Sequence, residues 1–104
     1  MTKIARPSDK TRTMPYSVAE QLRTPNEIAA YIDAWLIEAP DDATGIVRAL
    51  GEIARAKGIE QVAHDAGLSR ENIYKAFSEN GNPSFATVLK VARALGVRLH
   101  AEAA

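Results

Sequence analysis

The side chains that could support catalysis or metal binding are few in this sequence. His64 and Asp65 are adjacent, so a helix would direct them about 100° apart, and they cannot form a hydrogen-bonded catalytic pair. Ser69 and Ser84 precede helical patterns and are explained as helix caps, because no base can be assigned to either hydroxyl. Two histidines without a cysteine offer no metal-ligand spacing. We therefore expect no enzyme, no metal site and no cofactor.

The composition is that of a small globular domain. The 104 residues are 46% hydrophobic and 25% charged. No apolar run is long enough to span a membrane, and the N-terminus lacks the apolar core of a secretion signal. The absence of cysteine fits a reducing compartment. These features predict a single-domain cytoplasmic protein with no membrane partner.

The formal charge is zero, but it is unevenly distributed along the chain. Residues 1–23 carry a net charge of +3, residues 24–45 a net charge of −5 without any Lys or Arg, and residues 46–104 a net charge of +2. Because binding to a charged partner depends on local clustering, overall neutrality excludes neither a nucleic acid nor a basic protein. Residues 1–15 show no apolar period and are predicted to be a disordered basic arm.

Helix-start and helix-stop signals divide residues 16–104 into the elements of one all-α domain with five or six helices. Capping boxes at Ser17 and Thr24 predict N-terminal helices over residues 17–38. Four further helical patterns follow in a core of residues 42–96. They span about 42–57, 60–66, 70–78 and 84–95, and Asp41 or Asp42, Ser69 and Ser84 are the predicted caps.

The two ends of this pattern make specific packing predictions. In the last helix, Phe85, Val88 and Leu89 are placed on the inner face with Ala92 and Leu95. The alternation of apolar and polar residues over 97–102 predicts one short strand. A single strand needs another edge, which a homodimer would supply; the alternative is a frayed segment.

The most informative pattern covers residues 62–73. Ala63 is small enough for two helices to cross closely, and Gly67 can end the first helix in the left-handed conformation. Ser69 caps the next helix two residues later, and Ile73 returns to the core. This arrangement is typical of a helix-turn-helix.

Over about residues 43–97 the chain resembles the Xre/Cro-type helix-turn-helix family. Residues 67–78 (GLSRENIYKAFS) and 81–91 (GNPSFATVLKV) resemble more narrowly the addiction-module antidote proteins, which are HigA-like antitoxins, and this resemblance extends over residues 17–101. It implies an antitoxin that neutralises a RelE-type toxin. It also implies that the protein binds operator DNA as a homodimer and represses its own operon.

The resemblance implies that the second short helix enters the major groove of DNA. Arg70 has the fork geometry to bind guanine, Glu71 can accept a hydrogen bond from cytosine, and Asn72 can pair with adenine or stabilise the helix. The family usually has a phosphate-binding Gln at the position of Ile59; here Gln61 either takes that role or is a plain surface residue. The implied DNA contacts are Gln61, Ser69, Arg70, Glu71, Asn72, Tyr74, Lys75 and Ser78.

Trp35 has two interpretations. It fills the core of the N-terminal helices, or it joins an exposed patch that meets a basic toxin through charge complementarity. The second interpretation predicts a toxin-binding set of Tyr31, Asp33, Trp35, Glu38, Asp41 and Asp42. Two alternative functions also stay open: a stand-alone Xre-type repressor without a toxin, and a toxin-masking protein that binds little DNA.

Overall fold

A computed structural model describes residues 16–104, in which every regular element is a helix. The helices are α1 (Tyr16–Gln21), α2 (Pro25–Glu38), α3 (Ala43–Lys57), α4 (Ile59–Ala66), α5 (Arg70–Ala76) and α6 (Phe85–Ala94). The prediction of an all-α domain with five or six helices is confirmed for this part of the chain, which has six. None of these helices is both long enough and apolar enough to cross a membrane. The arm predicted for residues 1–15 lies outside the described residues.

Side-chain caps begin four of these helices, as predicted. Thr24 caps α2 with Pro25 at the first helical position, and Asp42, Ser69 and Ser84 cap α3, α5 and α6. The cap of α2 is reciprocal, because the backbone N–H groups of residues 23 and 24 donate to Glu27 Oε1 at 2.8 and 3.1 Å. These two donors hold the pKa of the Glu27 carboxyl below its ordinary value.

At α1 the predicted cap is wrong. Ser17 lies inside the helix Tyr16–Gln21 instead of preceding it. The neighbouring box at Thr24 has a proline directly after the cap, whereas the box at Ser17 has no such feature to set the helix start.

The core is organised around α3, which contacts α1, α2, α4 and α6. Its Ile53 has no exposed surface. Helix α2 covers one side of α3 through Ile28, Tyr31, Ile32 and Trp35, which recur at helical spacing and are all buried. The core interpretation of Trp35 therefore agrees with its burial.

Trp35 is accommodated by the absence of a side chain in the first turn of α3. A Cβ atom on Gly45 would lie 2.5 Å from Trp35 Cζ3 and would overlap the carboxylate of Asp42, the residue that caps the helix. The backbone N–H of Gly45 donates to that carboxylate at 2.9 Å. Glycine is therefore required here for close approach of the indole, although its backbone conformation is an ordinary helical one.

The predicted inner face of α6 is wrong at its first turn. Val91, Ala92 and Leu95 are buried, whereas Phe85 is 70% exposed and Leu89 is 41% exposed. Val88, between these two residues, is half-buried and packs against the core.

The strand predicted for residues 97–102 is also wrong, since residues 97–104 are neither helix nor strand. The described part of the chain has no second strand to supply a hydrogen-bonding edge. Burial nevertheless alternates at the start of the segment: Val97 is buried and Leu99 half-buried, whereas Arg98 and His100 are exposed.

Candidate functional site

Helices α4 and α5 are joined by a tight turn that presents α5 on the surface. Gly67 adopts the left-handed conformation at φ 70°, and the backbone N–H of Leu68 donates to the carbonyl of Ala63 at 2.9 Å. Ala63 is buried, and Ser69 Oγ accepts a hydrogen bond from the backbone N–H of Asn72 at 3.0 Å. The turn predicted from these residues is thus present, with α5 starting directly after the cap.

Helix α5 has one buried face and one polar face. Ile73 is 1% exposed, and Phe77, the C-cap residue of the helix, is also buried in the core. The other face is polar and open to solvent, since Arg70, Glu71, Asn72, Tyr74 and Lys75 are all exposed. The structure thus brings five of the eight candidate DNA-contacting residues together on one short helix.

Arg70 is held by an acidic residue that the sequence analysis missed. Its Nη1 atom lies 2.6 Å from Glu60 Oε2, and both side chains are more than half exposed. Glu60 is in the first turn of α4, ten residues earlier in the chain. An exposed ion pair of this kind contributes little to stability. Its effect is to orient the guanidinium at the start of α5.

The other three candidate residues lie around α5. Ser69 uses its hydroxyl oxygen as the helix cap. Ser78 lies beyond the end of α5, where its hydroxyl donates to the carbonyl of Lys75 at 2.9 Å. Gln61 is exposed on α4 and donates to Asp65 at 2.9 Å.

The turn after α5 leaves no room for a side chain at Gly81. Its backbone N–H donates to the carbonyl of Ser78 at 2.9 Å. A Cβ atom here would overlap the backbone carbonyl oxygens of Lys75 and Ala76 at the end of α5. The end of α5 and the loop before α6 are therefore in backbone contact.

The proposed toxin-binding residues fall into two groups. Tyr31 and Trp35 are buried, and burial raises the pKa of the Tyr31 hydroxyl; neither ring offers an exposed aromatic surface. Asp42 is half-buried and engaged as the cap of α3. The remaining carboxylates, Asp33, Glu38 and Asp41, are exposed.

Two exposed apolar residues accompany these carboxylates on α2. Leu36 is 40% exposed and Ile37 is 70% exposed. Leu36 continues the helical spacing of the buried Ile28 and Ile32, but it lies at the edge of that buried face. Ile37 could have been found from the sequence, because at 100° per residue it lies opposite the buried Ile28.

An apolar groove of about 740 Å³ separates α2 from residues 97–104. Leu36, Ile37 and Pro40 line one wall, and the segment that begins at Val97 lines the other. Helix α2 makes no contact with α5. The polar face of α5 and the surface of α2 are therefore separate sites.

Within residues 16–104, no group of three or more His, Cys, Asp or Glu residues could hold a metal ion. The side chains exposed on α5 can form hydrogen bonds and ion pairs, and those exposed on α2 offer apolar and acidic contacts.

Comparison with known proteins identifies relatives. A family model described as "Probable addiction module antidote protein" matches residues 10–103. An uncharacterized protein of Haemophilus influenzae is 47% identical over 87 residues, which cover 84% of this chain and 88% of that protein. No solved structure matches the chain.

Proposed function

Since the chain belongs to the family of probable addiction module antidote proteins, we propose that it is the antitoxin of a type II toxin–antitoxin module. In this proposal it acts in the cytoplasm, without enzymatic activity, by neutralising a RelE-type toxin. It also binds operator DNA through an Xre/Cro-type helix-turn-helix formed by α4 and α5, and so represses its own operon. The family membership supports the antidote role and a toxin partner.

The observation that carries the DNA-binding part is the polar face of α5. Helix α5 exposes five polar residues on its outer face, and these are of the residue types that hydrogen-bond to base edges and phosphates, which supports the proposal. In this scheme Arg70 and Glu71 contact base edges. Tyr74, Lys75 and Ser78 contact phosphates and fix the orientation on the duplex. A homodimer places two such helices about 34 Å apart on an inverted repeat.

The test is fluorescence anisotropy with the duplex upstream of the gene and a scrambled duplex of the same length, at two salt concentrations. We expect binding to the upstream duplex to be about 10³-fold tighter than to the scrambled one. Equal, weak and salt-sensitive binding to both duplexes would refute the repressor role and leave a toxin-masking protein. Specific DNA binding without a toxin in the neighbouring gene would instead support a stand-alone repressor.

The toxin interface in this proposal is the acidic surface of α2 and the turn after it. Because an enzyme that cleaves RNA needs a basic surface for its substrate, exposed carboxylates on the antitoxin can cover that surface. Asp33, Glu38 and Asp41 are available for this role. The exposed Ile37 lies among them and supplies apolar contact area.

Reversing two of these charges, in the double variant Asp33→Lys and Glu38→Lys, is expected to weaken toxin binding at least tenfold at low salt. The effect should shrink at high salt, since exposed charges are screened. The matched control reverses Glu20, on α1, and Glu79, in the turn after α5, which are also exposed. Calorimetric titration with the toxin measures the affinity of the wild type and of both double variants. An Asp33→Lys/Glu38→Lys variant that binds the toxin as tightly as the control variant would contradict this interface.

A further inference from the structure

The turn between α5 and α6 holds an asparagine whose neighbour favours a chemical change of its side-chain amide. The sequence has asparagines at positions 26, 72, 80 and 82, and glycine follows Asn80 alone. A glycine has no side chain that would hinder its backbone nitrogen from reaching the side-chain carbonyl carbon of the preceding residue. Asn80 is also exposed, so water has access to its amide.

The local structure of the other asparagines is unfavourable for the same change. Asn26 and Asn72 lie in the first turns of α2 and α5, where the helix fixes the backbone on both sides of the side chain. Asn82 precedes Pro83, whose ring nitrogen has no hydrogen to lose. These three residues are therefore internal references for the reactivity of Asn80.

We propose that Asn80 is a site of spontaneous deamidation. The backbone nitrogen of Gly81 loses its proton to water, and its electron pair forms a bond to Asn80 Cγ. The Cγ–Nδ2 bond breaks, and the amide nitrogen takes up a proton and leaves as ammonia. Water then opens the cyclic imide: attack at Cγ gives aspartate, and attack at the backbone carbonyl carbon gives isoaspartate. In sum, the side-chain amide and water become a carboxylic acid and ammonia.

The folded turn controls the rate of this reaction. The Gly81 N–H donates to the carbonyl of Ser78 at 2.9 Å, and this hydrogen bond must break before the nitrogen can lose its proton. The bond closes a short exposed turn beyond the end of a seven-residue helix, which is the kind of segment that opens locally while the core stays folded. Deamidation is therefore slow in the closed turn and fast in the open one.

The isoaspartate product does not fit the closed turn. Its chain runs through the side chain of residue 80, so the backbone directly before Gly81 becomes longer by one carbon atom. Gly81 has no room for this change, because even a Cβ atom there would overlap the carbonyl oxygens of Lys75 and Ala76. Once isoaspartate has formed, the end of α5 and the loop before α6 can no longer keep their backbone contact.

Both products place a carboxylate near the polar face of α5. Asn80, Asn72 and Lys75 line the same depression between α5 and the start of α6. The new negative charge lowers the positive potential that Lys75 presents there. This consequence rests on the proposed function, in which Lys75 contacts a DNA phosphate, whereas the deamidation itself requires neither DNA nor toxin.

Ageing of the whole protein at neutral pH and physiological temperature tests the site. Peptide mapping by mass spectrometry is expected to find Asn80 converted at least about tenfold faster than the three reference asparagines, with both products present. Ageing in denaturing guanidinium chloride is expected to accelerate the conversion of Asn80 at least about tenfold further. Equal rates at all four asparagines of the folded protein would overturn the site. Equal rates at Asn80 with and without denaturant would overturn its control by the turn.

Asn80→Gln is the matched control for the structural consequence, because its longer side chain closes an imide far less readily. After identical ageing, the wild type is expected to show a second thermal transition below the main one, and Asn80→Gln is expected to lack it. A single unchanged transition, in a wild-type sample that mapping shows to contain substantial isoaspartate, would overturn the steric argument.

Asn80→Asp reproduces the new charge without lengthening the backbone. It is expected to weaken binding to the upstream and scrambled duplexes by the same factor, roughly three- to tenfold at low salt and less at high salt, whereas Asn80→Gln should change neither affinity. Unchanged affinities for Asn80→Asp would overturn the effect on DNA binding. A wild type that binds neither duplex, yet is deamidated at Asn80, would refute the DNA-binding part of the proposed function and support the modification site.

Discussion

Replacing Arg70 with alanine is expected to weaken binding to the operator roughly 5- to 150-fold, which corresponds to about 1–3 kcal/mol. The loss is expected because the variant would remove the bidentate guanine contact that the proposed function assigns to Arg70. Affinity for a scrambled duplex should fall less than affinity for the operator, because a base contact contributes little to non-specific binding and only the loss of one positive charge acts on both duplexes. Anisotropy titrations of both duplexes at one salt concentration check the prediction.

A variant of Glu60, the ion-pair partner of Arg70, provides the matched control for Arg70→Ala. Glu60→Gln keeps the shape of the side chain but removes the carboxylate that holds the guanidinium at 2.6 Å. We expect this variant to bind both duplexes more tightly, because it removes a negative charge from beside the phosphates. If Arg70→Ala weakened both duplexes equally, Arg70 would be a phosphate contact and would not determine specificity.

The second large effect concerns stability. Replacing Gly81 with alanine is expected to lower the free energy of unfolding by about 2–3 kcal/mol, near the upper end of the usual cost of overpacking. The reason is that the new Cβ atom would meet the backbone carbonyls of Lys75 and Ala76, which cannot rotate away as a side chain can. For a domain of this size the melting temperature should fall by roughly 10–15 °C.

A substitution at Gly67 serves as the control, because it measures the cost of replacing a glycine where no steric overlap follows. Gly67 has a positive φ, but no heavy atom lies within 4 Å of the position that a Cβ atom would take there, and asparagine tolerates that backbone conformation. Gly67→Asn is therefore expected to cost less than about 1 kcal/mol. Thermal unfolding followed by circular dichroism checks both variants. A Gly81→Ala variant that melts within about 3 °C of the wild type would contradict the argument.

The parts of the fold that can be predicted from sequence are those decided by a few neighbouring residues. Thr24, Asp42, Ser69 and Ser84 each cap a helix by accepting a backbone hydrogen bond from three residues further on. Gly67 likewise ends α4 through its own conformation. These signals depend on short-range geometry, so they do not require knowledge of the rest of the chain.

The predictions that fail depend on distant parts of the molecule. Phe85 and Leu89 continue the helical period of α6, but whether they are buried depends on how far the core extends beneath them. The alternation over residues 97–102 is correct as a pattern of burial at its start. It cannot become a strand without an edge, and the described chain has none.

The candidate site is predictable to the same extent. The outward face of α5 follows from the period of Ile73 and Phe77 in a short capped helix. The pairing of Arg70 with Glu60 cannot be derived in this way, because ten residues and a tight turn separate them along the chain. The burial of Tyr31 likewise depends on the packing of α2 against α3, which no local pattern specifies.

The position of Trp35 gives the protein a built-in optical reporter. It is the chain's single tryptophan, and its indole lies buried at the junction of α2 and α3, beside Gly45. Tryptophan fluorescence therefore reports on one place in the molecule. Because α2 does not contact α5, the signal should respond to a ligand that seats on α2 and stay constant when one seats on α5. Intrinsic fluorescence can thus distinguish occupancy of the two surfaces in unlabelled protein.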